Sequence, residues 1–108
     1  MQDIDRAVDE AERLLVEAGQ AKVKAEALDE RRKRVRAVLF VKYRGDGKGS
    51  AESTEFALAD PVYELACADR DAAAMEAETL RARAEAKRMK FEAWRTAKAT
   101  ERAAMNLR

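Results

Sequence analysis

KYRGDGKGSAES, residues 42–53, holds three of the chain's four glycines, and how it is read decides the fold. Lys48, Gly49 and Ser50 invite a comparison with a phosphate cradle. A phosphate-binding loop, however, needs G-x-x-x-x-G-K followed by Ser or Thr, set between a strand and a helix. Here Gly45, Gly47 and Gly49 are two apart, Lys48 is followed by glycine, and the preceding residues have a helical pattern. A calcium loop fails as well: counted from Asp46, the twelfth position is Ala57, where a bidentate glutamate is required. The stretch is a turn. Its glycines let the chain leave a helix through left-handed conformations and reverse direction.

Working outward, apolar positions before the turn follow a four-three spacing: Ala7, Ala11, Leu14, Ala18, Ala21, Ala25 and Leu28, then Val35 and Leu39, with Arg32 the one interruption. A seam sustained over more than four heptads keeps one side of the helix against a partner helix, and its alanines bring the two backbones close. The first helix is expected over residues 3–43, roughly 60 Å long at 1.5 Å per residue. Beyond the turn the spacing returns at Ala59, Tyr63, Ala66, Ala73, Ala77 and Leu80, then Ala84, Phe91 and Trp94, interrupted by Arg70 and Lys87. Pro61 suits the first position of a helix, and Asp60 suits its cap. A short helix over 51–59 and a long one over 61–105 follow, with the turn at 44–50. The alternative is one continuous helix kinked at Pro61. The fold class is all-α: an antiparallel helical hairpin with coiled-coil-like packing, one domain over residues 1–108.

Composition agrees. Of 108 residues 40% are charged and 6% aromatic, a balance of long helices. There is no histidine, which removes Ser-His-Asp and Cys-His nucleophiles, histidine-bound zinc and imidazole acid–base chemistry. The single Cys67 has no partner in the chain and reads as a small buried apolar residue in a reducing compartment. No apolar run nears the roughly 18 residues that span a bilayer, and the acidic start does not resemble a signal peptide. A cytoplasmic protein with no membrane partner, no metal, no cofactor and no catalytic residues is expected. Enzymatic function is the weakest class, because two long helices seldom form a concave pocket.

Charge alternates in blocks. Residues 1–30 carry nine acids and four bases, 31–48 one acid and eight bases, 49–79 eight acids and one base, and 80–108 three acids and nine bases. Reversal near residue 48 sets RRKRVR (31–36) near the acids that follow Ser50, and the acidic N-terminal arm beside LRARAEAKRMK (80–90), so that the blocks neutralise one another. This reversal pairs residue 3 with about residue 93 and leaves the last dozen or so residues overhanging.

Two candidate surfaces result. Arg31, Arg32, Lys33, Arg34 and Arg36 occupy more than one helix face, and Lys42, Arg44 and Lys48 extend the same sign into the turn, the footprint of a phosphate-binding surface. At the overhanging end, Phe91 and Trp94 sit among Arg88, Lys90, Arg95 and Lys98. Aromatics between cations stack bases, but these two also continue the seam, which makes them packing residues. With Arg95 and Met105 they form the expected oligomer or partner interface, because a lone hairpin buries too little apolar surface to stand comfortably alone. Arg32, Arg70 and Lys87 within the seams are placed to fix register.

The ending FEAWRTAKATERAAMNLR resembles the C-terminus of a group of small phage-encoded helical proteins, whose endings run E-A-W-R-T, a short spacer, then N-R-A or similar. The matching positions are Glu92, Ala93, Trp94, Arg95 and Thr96, with Arg102 and Ala103 more loosely. The layout of a basic first helix, a glycine-rich turn, an acidic segment ending near DPVYELA and a long helix is similar to that of UvsY-like phage recombination mediators. Their Gly-x-Gly turn compares with Arg44 to Gly47. The resemblance implies an oligomer that binds single-stranded DNA and assists a phage or host recombination protein in the host cytoplasm. A helical adaptor or inhibitor that binds only protein is the alternative.

Overall fold

The computed structural model describes residues 2–107, and the side chains of residues 3–107. The described residues are all-α: α1 is Gln2–Gly45, α2 is Ser50–Ala59 and α3 is Pro61–Asn106. The chain divides into two compact units, Gln20–Ala77 and Met1–Gly19 with Glu78–Arg108.

In the Gln20–Ala77 unit, α1 runs two residues beyond the expected end at Tyr43 and closes in a Schellman motif. Lys48 N–H donates to the Tyr43 carbonyl at 3.2 Å and Gly47 N–H to the Arg44 carbonyl at 3.1 Å. Gly47 takes the left-handed position, φ 91°, and no other described residue has a positive φ. The expectation that all three glycines serve as left-handed exits is therefore corrected. Gly45 is the last helical residue, and Gly49 is extended (φ −68°, ψ 170°) and caps α2, with its carbonyl accepting from Ser53 N–H at 2.8 Å. Ser53 and Ala57, four apart on one side of α2, are both fully buried.

Pro61 breaks the helix rather than kinking it. The residue before a proline is pushed out of the helical region, and Asp60 is extended at φ −67°, ψ 133°. Its Oδ1 accepts from Val62 N–H at 2.8 Å, the cap that starts α3, while its Oδ2 accepts from the Tyr43 hydroxyl at 2.7 Å. One carboxylate thus ties the start of α3 to the end of α1. Deeper in this unit α1 and α3 pass in opposite senses, with Arg32 bonded to Tyr63 at 2.9 Å and Asp29 to Arg70 at 3.2 Å. Ala21, Leu39, Ala66 and Ala73 are buried between them, and Cys67 is half-buried rather than buried.

In the other unit the core is thinner: Ala18 and Ala84 are buried, and Ala7, Ala11, Leu14, Leu80 and Phe91 are half-buried. Lys87 reaches Glu10 at 3.1 Å. Ile4 and Ala7 share a groove with Phe91 and Trp94. From Glu92 to Leu107 every residue is exposed. The four-three positions of both long helices are the shielded ones, with two exceptions. Ala59 is exposed because it ends α2 ahead of the break, and Trp94 lies at the edge, 37% exposed.

Candidate nucleic-acid interface

The basic segment lies on the last four turns of α1 and the turn after it, inside the Gln20–Ala77 unit. Helical spacing of about 100° per residue spreads the five basic positions of 31–36 around the rod, and the structure sorts them by what each touches.

Arg32 points into the seam. Its Nε donates to Asp29 Oδ1 at 3.0 Å and its Nη1 to the Tyr63 hydroxyl at 2.9 Å, leaving the side chain 16% exposed. Asp29 also takes Arg70 Nη1 at 3.2 Å, and Arg70 holds Asp71 at 2.8 Å. Bonds from Arg32 and then Arg70 hold the Asp29 carboxyl below its ordinary range, and the Tyr63 hydroxyl together with Asp29 keeps the Arg32 guanidinium charged. The Tyr43 hydroxyl, ahead of the Val62 amide, lowers Asp60 in the same way, and the bond to Asp60 raises Tyr43. Asp29 is the centre of the cross-helix network, and sequence reasoning passed over it. The available signal was an acid three residues before the one charged residue of the α1 seam.

Lys33 is held by acids of its own helix, Asp29 at 3.6 Å and Glu30 at 3.3 Å. Lys48 pairs with Glu52 at 3.6 Å and lies 4.2 Å from the centre of the Phe56 ring, which itself packs against Tyr43 at 5.4 Å. Arg44 donates to the Lys48 carbonyl at 3.3 Å, and Lys42 stands 5.3 Å from the Tyr43 ring. Among the described residues Arg31, Arg34, Arg36, Lys42 and Arg44 have no carboxylate within 4.0 Å, and all five are exposed.

The expected neutralisation of this block by contact is made at Lys48, which meets Glu52 of α2, and not at the segment RRKRVR. No side chain of Arg31, Arg32, Lys33, Arg34 or Arg36 pairs with a described acid of α2 or α3, and the ion pair that does link α1 to α3 here joins Asp29 to Arg70, the lone base of the acidic block. Among the described acids of residues 49–79, Glu52 is the one that partners a cation of this block.

Two shallow grooves flank the basic segment. One, of about 440 Å³, is lined by Arg31 and Arg34 together with Val35, Val38, Leu39 and Val62. The other, of about 460 Å³, is lined by Lys33, Arg36, Phe40 and Val41 of α1 and by Thr54 and Ala57 of α2. Val38, Val41 and Val62 are between 57% and 68% exposed, so both grooves offer apolar surface beside fixed positive charge.

The second expected surface lies in the other unit. Phe91 and Trp94 stack on each other, centres 6.3 Å apart at 19°, and line a groove of about 210 Å³ with Asp3, Ile4, Ala7, Lys87 and Lys90. Arg95 borders a depression with Glu92, Thr96 and Ala99, and Met105 is 66% exposed on the tail. The structure thus brings Phe91 and Trp94 together and leaves Arg95 and Met105 outside that groove. Among the described residues no helix is long and apolar enough to cross a membrane, and no group of three or more Cys, Asp or Glu side chains is arranged to hold a metal.

Comparison with family models, with curated proteins and with solved structures finds no match for this chain.

Proposed function

We propose that this protein is a non-enzymatic accessory of phage DNA metabolism, an oligomer that holds single-stranded DNA by its phosphates. In this reading α1 and α3 form an antiparallel hairpin with coiled-coil-like packing, which the cross-helix bonds inside each unit support. The observation that carries the proposal is the group of five exposed cations, Arg31, Arg34, Arg36, Lys42 and Arg44, with no carboxylate beside them. Cations committed within the protein gain little from a phosphate, whereas free ones displace condensed counterions from the strand. Lys33 and Lys48 join by exchanging their short helical ion pairs, which hold weakly. Arg32 is omitted from the contact set because its guanidinium serves the seam. The likeness of Glu92 to Thr96 to the endings of phage helical proteins, and of the layout to UvsY-like mediators, supports recombination as the setting, with a phage or host recombination protein as second partner.

The test is fluorescence anisotropy of a labelled single-stranded oligonucleotide at low and moderate salt. Binding that falls steeply with salt is expected, and no binding at either condition rejects the proposal. The apolar residues that line the two grooves favour a second reading, a protein-only adaptor or inhibitor whose target lays apolar side chains there. Reversing Arg31, Arg34 and Arg36 to Glu separates the two: DNA affinity collapses in the first, while the adaptor is indifferent to DNA throughout.

A further inference from the structure

The seam of the unit formed by the chain's two ends closes on an aromatic pair whose members are treated unequally. Phe91 is half-buried in the groove it shares with Ile4 and Ala7, whereas Trp94, stacked on Phe91 one turn further along, keeps 37% of its surface open. Every residue from Glu92 to Leu107 is exposed, so the described part of α1 covers no residue beyond the indole. A ring left at the end of a seam offers a flat apolar face to something outside it.

The charges around the ring indicate what that is. Lys90, Trp94, Lys98 and Arg102 recur every four residues, turn after turn along one side of α3, and Arg95 adjoins the indole. From Trp94 to Leu107 the described residues carry three bases and one acid, Glu101, which Lys98 holds at 3.3 Å. Among the described residues Lys90, Arg95 and Arg102 have no carboxylate within 4.0 Å. The acids closest in sequence, Glu85 and Glu92, are held by Arg88, and Glu10 is held by Lys87. Asp3 lines the groove with Lys87 and Lys90 and forms no ion pair among the described residues. Asp5, Asp9 and Glu12 lie about 140–160° around α1 from Ala7, away from that groove. Three free bases against one free acid leave a positive surplus beside an open aromatic ring. A second copy of this same end would set Lys90, Arg95 and Arg102 against their own kind, whereas a single nucleic-acid strand brings both negative charge and flat apolar faces.

We propose that Trp94 stacks an unpaired base of a single-stranded nucleic acid while Lys90, Arg95 and Arg102 meet the adjoining phosphates. The inference rests on the nucleic-acid reading of the proposed function and deepens it. Phosphate contact by the outward cations of α1 does not tell one strand from two, but a base stacked inside a duplex has no free face for an indole. Trp94 is thereby assigned to the ligand rather than to a partner subunit, and the contact tolerates any base sequence.

Trp94 is the chain's one tryptophan, so its emission reports this site alone. On the full chain at low salt, a thymine oligonucleotide should quench that emission to saturation, in step with the anisotropy of the labelled strand, and a duplex of the same length should leave it unchanged. Trp94→Ala should weaken single-strand binding about tenfold without altering the slope of log Kd against log salt, while Trp94→Phe keeps most of the affinity. Arg95→Gln with Arg102→Gln should instead make that slope shallower. Circular dichroism confirms that each variant remains helical. Binding seen by anisotropy with unchanged emission, or a Trp94→Ala chain that binds as tightly as the wild type, overturns the inference and leaves the DNA reading standing. Emission that shifts with protein concentration and not with oligonucleotide assigns the ring to a second copy and overturns it as well. Absence of binding by anisotropy overturns both.

Discussion

The two units of this protein solve the same packing problem with different means. In Gln20–Ala77 the seam contains a large buried side chain, Leu39, a fully buried Ser53 and Ala57 on α2, and polar ties that converge on Asp29 and Asp60. Among the described residues of the unit formed by the chain's two ends, two alanines are buried and one ion pair, Glu10 to Lys87, crosses the seam. Sequence spacing is the same in both, so spacing alone does not set how firmly two helices are joined. The difference comes from side-chain volume at the seam and from whether the polar interruptions find more than one partner. It also separates two kinds of cation: Arg32, Arg70 and Lys87 are held inside by carboxylates, while Arg31, Arg34 and Arg36, one or two residues from Arg32, are not.

The comparison can be broken most forcefully at the cores. Leu39→Ala should cost about 2–3 kcal/mol in urea unfolding, as a buried leucine leaves a cavity. Leu14→Ala in the other unit, at a half-buried position, should cost about 1 kcal/mol. Equal losses would show that the two cores are equivalent. Next come the two kinds of cation: Arg32→Gln should lower the melting temperature by several degrees, since it leaves Asp29 and Tyr63 short of a donor, whereas Arg34→Gln should stay within about 0.5 kcal/mol of wild type. A melting curve for each decides it. Smaller effects lie in the turn. Gly47→Ala should destabilise by about 1 kcal/mol, because a side chain at φ 91° is strained even with open space around it. Gly45→Ala, in helical backbone with nothing within 4 Å of the added methyl, should stabilise by about 0.5 kcal/mol. The same sign at both glycines would contradict the turn geometry.

Much of this architecture is legible in the sequence because period and punctuation are local. The four-three positions mark the shielded residues of both long helices, Pro61 marks the break, and Asp60 its cap. The glycine cluster marks the turn but not which glycine is left-handed, since that depends on where the last helical carbonyls find donors; helix α1 reaches Gly45 and the task falls to Gly47. The pairing of charges was harder to read. Block totals place opposite signs near each other, yet they do not say which side chains reach, and short local partners such as Glu30 for Lys33 and Glu52 for Lys48 win over distant ones.

The claim on which the functional account depends is that the outward cations of α1 stand free to meet a polyanion. The direct measurement is the slope of log Kd against log salt for a single-stranded oligonucleotide, taken for the wild type and for a chain with Arg31, Arg34 and Arg36 all changed to Gln. At about 0.7 per phosphate contact, the account predicts a slope shallower by roughly 2 in the variant, with weaker binding at every salt concentration. Slopes that coincide, or a wild type that does not bind at low salt, would contradict it.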